Sequence, residues 1–144
     1  MKRLLALCMA GVLLAVAPAG PAAAGERTPD QMVAEARGAV REVSVAEVRR
    51  MIDAGEKFTL LDVRDRHEYE EGYIPGAVNI SRGSLEFKVG LAIPDKTTRI
   101  VVYCGQDLRS PLAVRALNEL GYGNAVNMAG GLKGWKAAGY PVTK

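Results

Sequence analysis

The segment Ile100-Val101-Val102-Tyr103-Cys104-Gly105-Gln106-Asp107-Leu108-Arg109-Ser110-Pro111 decides how this chain folds. Its continuous apolar run predicts a strand buried on both faces, which belongs in the middle of a parallel sheet covered by helices. Ser110 and Pro111 have the residue types that open a helix, at the N-cap and first helical positions. The apolar stripe of that helix is Leu112, Ala113, Ala116, Leu117 and Leu120, and Gly121 ends it. Between Cys104, the last strand residue, and Ser110 stand Gly105, Gln106, Asp107, Leu108 and Arg109. So short a connection curls tightly, turns successive N–H groups toward one point and aims the helix N-terminus there, making an anion cradle. The helix dipole and Arg109 favour the thiolate of Cys104, so no separate general base is required.

Outward from that segment, strands and helices alternate. Arg41 to Ser44 predicts a short strand, followed by a helix with Val45, Val48, Met51 and Ile52 on one face, capped by Ser44 and stopped at Gly55. Strands are expected at Phe58 to Val63, Ala77 to Ile80 and Ala125 to Met128, and helices at Ser84 to Leu91 and Leu132 to Ala138. The pattern predicts one doubly wound α/β domain with a central parallel sheet of about five strands. A length of 144 residues suits one domain, and 49% hydrophobic with 24% charged residues is the balance of a chain with a core.

The N-terminus reads as a targeting segment. Lys2 and Arg3 precede an apolar stretch from Leu4 to Ala17, shorter than the roughly 18–20 residues that span a bilayer. Pro18, Gly20 and Pro21 then break any helix before the small residues Ala22-Ala23-Ala24. A signal peptide over residues 1–24, cleaved after Ala24, is expected in preference to an uncleaved anchor. Residues 25–40 would form an N-terminal extension, irregular or helical, and residues 41–144 the domain. The protein would be exported, to the periplasm if bacterial. Without Lys2 and Arg3 the formal charge falls from +3 to +1, which leaves no footprint for nucleic acid. Cys8 would leave with the leader, so the remaining lone thiol, Cys104, has no intramolecular disulfide partner. Two cysteines and one histidine do not build a Cys/His zinc site, and no metal or cofactor is expected.

The loop Val101 to Ser110 resembles the active-site loop of rhodanese-like sulfurtransferases. Leu61-Asp62-Val63-Arg64, Glu68-Tyr69 and Gly72-Tyr73-Ile74-Pro75-Gly76-Ala77-Val78-Asn79-Ile80 resemble that family's first signature, and Ala129-Gly130-Gly131-Leu132-Lys133-Gly134-Trp135 its closing one. The resemblance implies a two-step transfer of sulfane sulfur from thiosulfate or a similar donor to cyanide, a thiol or a protein acceptor. Cys104 would carry the persulfide. Gly105, Gln106, Asp107, Leu108 and Arg109 would bind substrate, with Arg109 on the sulfonate oxygens. Related phosphatases have five residues between Cys and Arg; four stand between Cys104 and Arg109, which favours sulfur.

Other residues receive plainer readings. Asp62 and Arg64 are expected to cap turns and pair locally, and Glu68, Glu70 and Glu71 to form a solvated helix face with His67 among them. Tyr73 stands where relatives commonly carry His. Trp135 reads as packing, and Lys133 as lying near the pocket rim. Asp107, where many relatives have Gly, is expected at positive φ. At ~6–8 Å from a bound anion its charge would repel by roughly 2–3 kcal/mol, unless loop amides hold it. Two classes of function stay open: a sulfurtransferase, and a persulfide carrier serving a dedicated partner with low turnover.

Overall fold

The structure, a computed structural model, describes residues 25–144. The expected leader, its cleavage site at Ala24 and Cys8 lie outside the described residues. From residue 25 the chain runs through α1 (Pro29–Ala39), β1 (Glu42–Ser44), α2 (Val45–Asp53), β2 (Thr59–Asp62), α3 (Arg66–Glu70) and β3 (Val78–Asn79). A 3-10 turn (Arg82–Ser84) then leads to α4 (Leu85–Ala92), β4 (Ile100–Tyr103), α5 (Arg109–Glu119), β5 (Ala125–Ala129) and α6 (Gly131–Ala137). The strands form one five-stranded sheet in the order β1-β5-β4-β2-β3. All four pairings are parallel.

Strand β4 occupies the centre because all four of its side chains are buried. Their alternation divides the core. Ile100 and Val102 pack with Leu85, Val89, Val114 and Leu117 of α4 and α5. Val101 and Tyr103 pack on the other face with Val48 and Met51 of α2 and Leu132 and Trp135 of α6. Each such side chain contributes about 1.5–3 kcal/mol through burial. The arrangement is the doubly wound sheet that the apolar run predicts. Among the described residues, no helix is long and apolar enough to cross a membrane.

Helix starts follow local chemistry with one exception. Ser44 accepts a hydrogen bond from the Glu47 N–H and caps α2, as its residue type predicts. Thr28 and Gln31 form a capping box ahead of Pro29, so the extension is helical from Pro29 to Ala39. The extension packs against the domain: Ala36 is fully buried, and α1 lies against α5. The exception is α5. Its first residue is Arg109 and its cap is Leu108, with no side-chain cap bond. Ser110 is therefore not the N-cap; its hydroxyl is drawn into the loop, toward Cys104 and Asp107.

Candidate active site

Strand β4 closes at Tyr103, so Cys104 is the first residue of the loop, beyond the carboxyl end of the central strand. The thiol is 1% exposed. Ser110 Oγ lies 3.5 Å from Cys104 Sγ, as a donor to the sulfur. Among the described residues, the N–H groups of Gly105, Gln106, Asp107 and Leu108 donate to no backbone carbonyl. An N–H without a protein partner requires water or an anion. The carbonyls of this loop are, in contrast, tied down. Leu132 N–H donates to the Cys104 carbonyl at 2.8 Å and Lys133 N–H to the Gly105 carbonyl at 3.0 Å.

That tie depends on Gly131, whose φ is +57°. A Cβ there would lie 2.7 Å from the Cys104 carbonyl oxygen, 2.9 Å from that of Gly105 and 3.0 Å from the Asp107 nitrogen. The Gly130-Gly131 pair is thus the place where α6 passes beneath the loop, at a separation that leaves no room for a side chain.

Arg109 reaches back over Gly105 and forms a two-pronged pair with Glu68, at 2.6 and 2.8 Å. The expectation that Glu68 sits on a solvated face is overturned. A second pair sets the position of Glu68. Asp62 is fully buried and Arg64 is 5% exposed, joined at 2.6 Å. Arg64 also donates to the backbone carbonyls of Glu68 and Gly72, both at 2.8 Å. Asp62 and Arg64 pair locally, as their spacing predicts. Burial works against the Arg64 cation, yet hydrogen bonding to Asp62 and the charge of that residue raise its pKa overall. Hydrogen bonding from Arg109 holds the Glu68 carboxyl down at about 2, against the opposing effect of burial. The pKa of Arg109 is raised in turn, with the Glu68 hydrogen bond as the largest cause.

A carboxyl depressed in the folded state stabilises above its ordinary value of 4.5, and the contribution falls away as pH drops toward 2. Carbon NMR of the Glu68 carboxyl should titrate near 2 in the native protein and near the ordinary value in Arg109→Ala.

Asp107 departs most from its sequence reading. Its φ of +62° is the positive value expected. Its side chain is not a charge set against the cradle. The carboxylate is 6% exposed and pairs with Arg37 of α1 at 3.0 Å. It also accepts from Asn127 Nδ2 at 2.8 Å, the Gly130 N–H at 3.1 Å and Ser110 Oγ at 3.4 Å. The repulsion expected of an unheld charge does not apply, because the charge has a cation and three donors inside the protein.

Leu108 is 51% exposed at the loop's outer edge. Gly105 and Gln106 line a cleft of about 300 Å³ with Leu132, Lys133 and Lys136, so Lys133 does stand at the rim. Tyr73 stacks on Tyr69 with ring centres 4.0 Å apart. Trp135 is fully buried and donates to the Pro141 carbonyl, a packing role. His67 is exposed. Sequence reasoning missed the parts played here by Arg37, Glu68, Ser110 and Asn127. Only Glu68 had a local signal, its place three residues beyond the helix cap Asp65.

Residues 44–138 match the family model described as "Rhodanese-like domain". The protein named "Putative sulfur carrier protein YrkF" from Bacillus subtilis is 29% identical over 70% of this chain, which covers 54% of that protein's length. "Thiosulfate sulfurtransferase PspE" from Escherichia coli is 37% identical over 51% of this chain and 69% of that one. Among solved structures, one from Rhodopseudomonas palustris, described as a protein of unknown function and possible tyrosine phosphatase, superimposes with a TM-score of 0.77 at 27% identity. That match covers 86% of this chain and 100% of the other.

Proposed function

From the premise that this chain belongs to the rhodanese-like domain family, we propose that it moves sulfane sulfur through a persulfide on Cys104. Thiosulfate or a similar anion is the donor. The Cys104 thiolate attacks the outer sulfur, a new S–S bond forms, the donor's S–S bond breaks, and sulfite leaves with the bonding pair. An acceptor such as cyanide or a thiolate then takes the terminal sulfur, and the Cys104 thiolate returns. The observation that carries this reading is the contrast within one loop. Its first two carbonyls are held by α6, whereas four successive N–H groups beside a buried sulfur have no carbonyl partner. Such a ring stabilises a terminal sulfur anion as an oxyanion hole stabilises oxygen. The four residues between Cys104 and Arg109 argue against the wider ring that a tetrahedral phosphate requires.

Incubation with thiosulfate tests it: mass spectrometry should find one sulfur atom added at Cys104, with sulfite released in equal amount. Cyanide should then produce thiocyanate over many turnovers. A stable persulfide with negligible turnover would instead favour the carrier reading, which the likeness to YrkF supports. No added sulfur would overturn both.

Glu68 bears on the choice of donor. A sulfonate approaching Arg109 competes with a carboxylate already bound to the same guanidinium edge. Glu68→Gln is expected to lower KM for thiosulfate by about threefold to tenfold, with little change for an uncharged persulfide donor. Steady-state kinetics with both donors measures this. A higher KM for thiosulfate would mean that Glu68 holds Arg109 in the binding position.

A further inference from the structure

A carboxylate, that of Asp107, stands almost buried beside the nucleophile. Asp107 Oδ1 and Cys104 Sγ share one hydroxyl, that of Ser110, at 3.4 and 3.5 Å. A negative charge so placed disfavours a second negative charge on the sulfur unless a cation offsets it. The groups facing the carboxylate from each neighbouring element are few. Asn127 of β5 supplies an amide, which it shares with Glu42 of β1. The turn before α6 supplies the Gly130 N–H, and α5 supplies Ser110. The cation is Arg37 of α1, and Arg109 of α5 is committed elsewhere, to Glu68. Arg37 meets Asp107 twice, since it also donates to the Asp107 carbonyl. In a trans peptide the carbonyl and the following N–H point in opposite directions. Arg37 therefore fixes the Leu108 N–H pointing away from α1; the positive φ of Asp107 leaves the orientation of the 107–108 peptide dependent on such anchors.

We infer that Arg37 is a positioning residue for Cys104: it neutralises the Asp107 carboxylate and orients the 107–108 peptide, which makes α1 part of the active site. Helix α1 precedes the segment matched by the family model, residues 44–138. The inference deepens the sulfur-transfer reading, but its first readout needs no sulfur donor.

The test uses Arg37→Gln, which keeps a helix-compatible side chain and removes the charge. Alkylation of Cys104 by iodoacetamide at pH 7 is expected to slow about tenfold, because the uncompensated carboxylate opposes the thiolate. Arg37→Lys should keep most of the rate. Adding Asp107→Asn to Arg37→Gln removes the buried charge, and Asn tolerates positive φ. The rate should then return to within about threefold of the native protein. Helix docking alone would not be rescued by a neutral side chain at position 107. Native reactivity in Arg37→Gln overturns the inference, and so does a double variant no faster than the single one. Should Arg37→Gln fail to fold, the double variant decides: folded and reactive supports the inference, unfolded or unreactive overturns it. Thiosulfate turnover of the same proteins is the second readout. Its absence in the native protein would count against catalytic turnover of thiosulfate and leave the alkylation result standing.

Discussion

Replacing Cys104 with serine is expected to abolish sulfur transfer, with a loss in kcat/KM of at least about a thousandfold. The substitution changes one atom at a site that is 1% exposed, so the fold should hold. What vanishes is the chemistry. A serine hydroxyl stays protonated at neutral pH unless a base takes its proton. The single histidine of the chain, His67, lies exposed on α3. The hydroxyl of Ser110 would face another hydroxyl in place of a sulfur able to hold charge. A thiosulfate–cyanide assay together with intact mass after incubation with donor measures the outcome. Sulfur uptake that survives in Cys104→Ser would place the acceptor sulfur elsewhere, and Cys8 is the only other cysteine in the sequence.

Gly131→Ala should have the next largest effect, and it acts without touching the reacting atoms. A methyl group at this position meets three backbone atoms of the loop at 3.0 Å or less, none of them at the end of a flexible side chain. The left-handed backbone at +57° adds its own penalty for any residue with a Cβ. Together these cost about 3 kcal/mol or more, a fall in melting temperature on the order of 10 °C. The relief available to the chain is to move the loop away from α6. That breaks the bonds from Leu132 and Lys133 to the Cys104 and Gly105 carbonyls and frees the loop to rotate. Residual transfer should drop by more than about tenfold even at a temperature where the variant remains folded. A calorimetric scan and an assay at low temperature separate the two losses. A variant with native activity would show that α6 supports the loop without setting its geometry.

The fold was legible because its signals are local. The apolar run at β4 and the period of α5 fix a central parallel strand and its covering helix without reference to any other part of the chain. The thiol and its loop were legible for the same reason, since Cys104 to Arg109 is one short connection. The partners of that loop were not. Glu68 reaches Arg109 across 41 positions and Arg37 reaches Asp107 across 70. Glu68 carries a local signal only for its helix cap, and nothing near Arg37 marks it for its contact. From the sequence, therefore, Asp107 could be held by its loop or face the substrate, and Arg37 is visible in neither alternative. The sequence also assigns Ser110 the ordinary task of a helix cap, because residue type carries no record of a competing hydroxyl acceptor nearby. Arg109 illustrates the middle case: its presence in the loop was evident, and its commitment to a carboxylate was not.

The loop's anchors lie on both sides of it in the chain, Arg37 long before and Gly130 to Lys133 after. This has a consequence for the order of folding. Closing such distant contacts carries an entropic cost that local helices do not, and contacts of long sequence separation form slowly. A chain still emerging, or one that has collapsed around β2 and β4 alone, possesses Cys104 as an ordinary thiol with neither tether in place. Reactivity toward a sulfur donor should therefore appear late in refolding, after the helical signal has recovered, and its arrival would report completion of the native state more faithfully than secondary structure does.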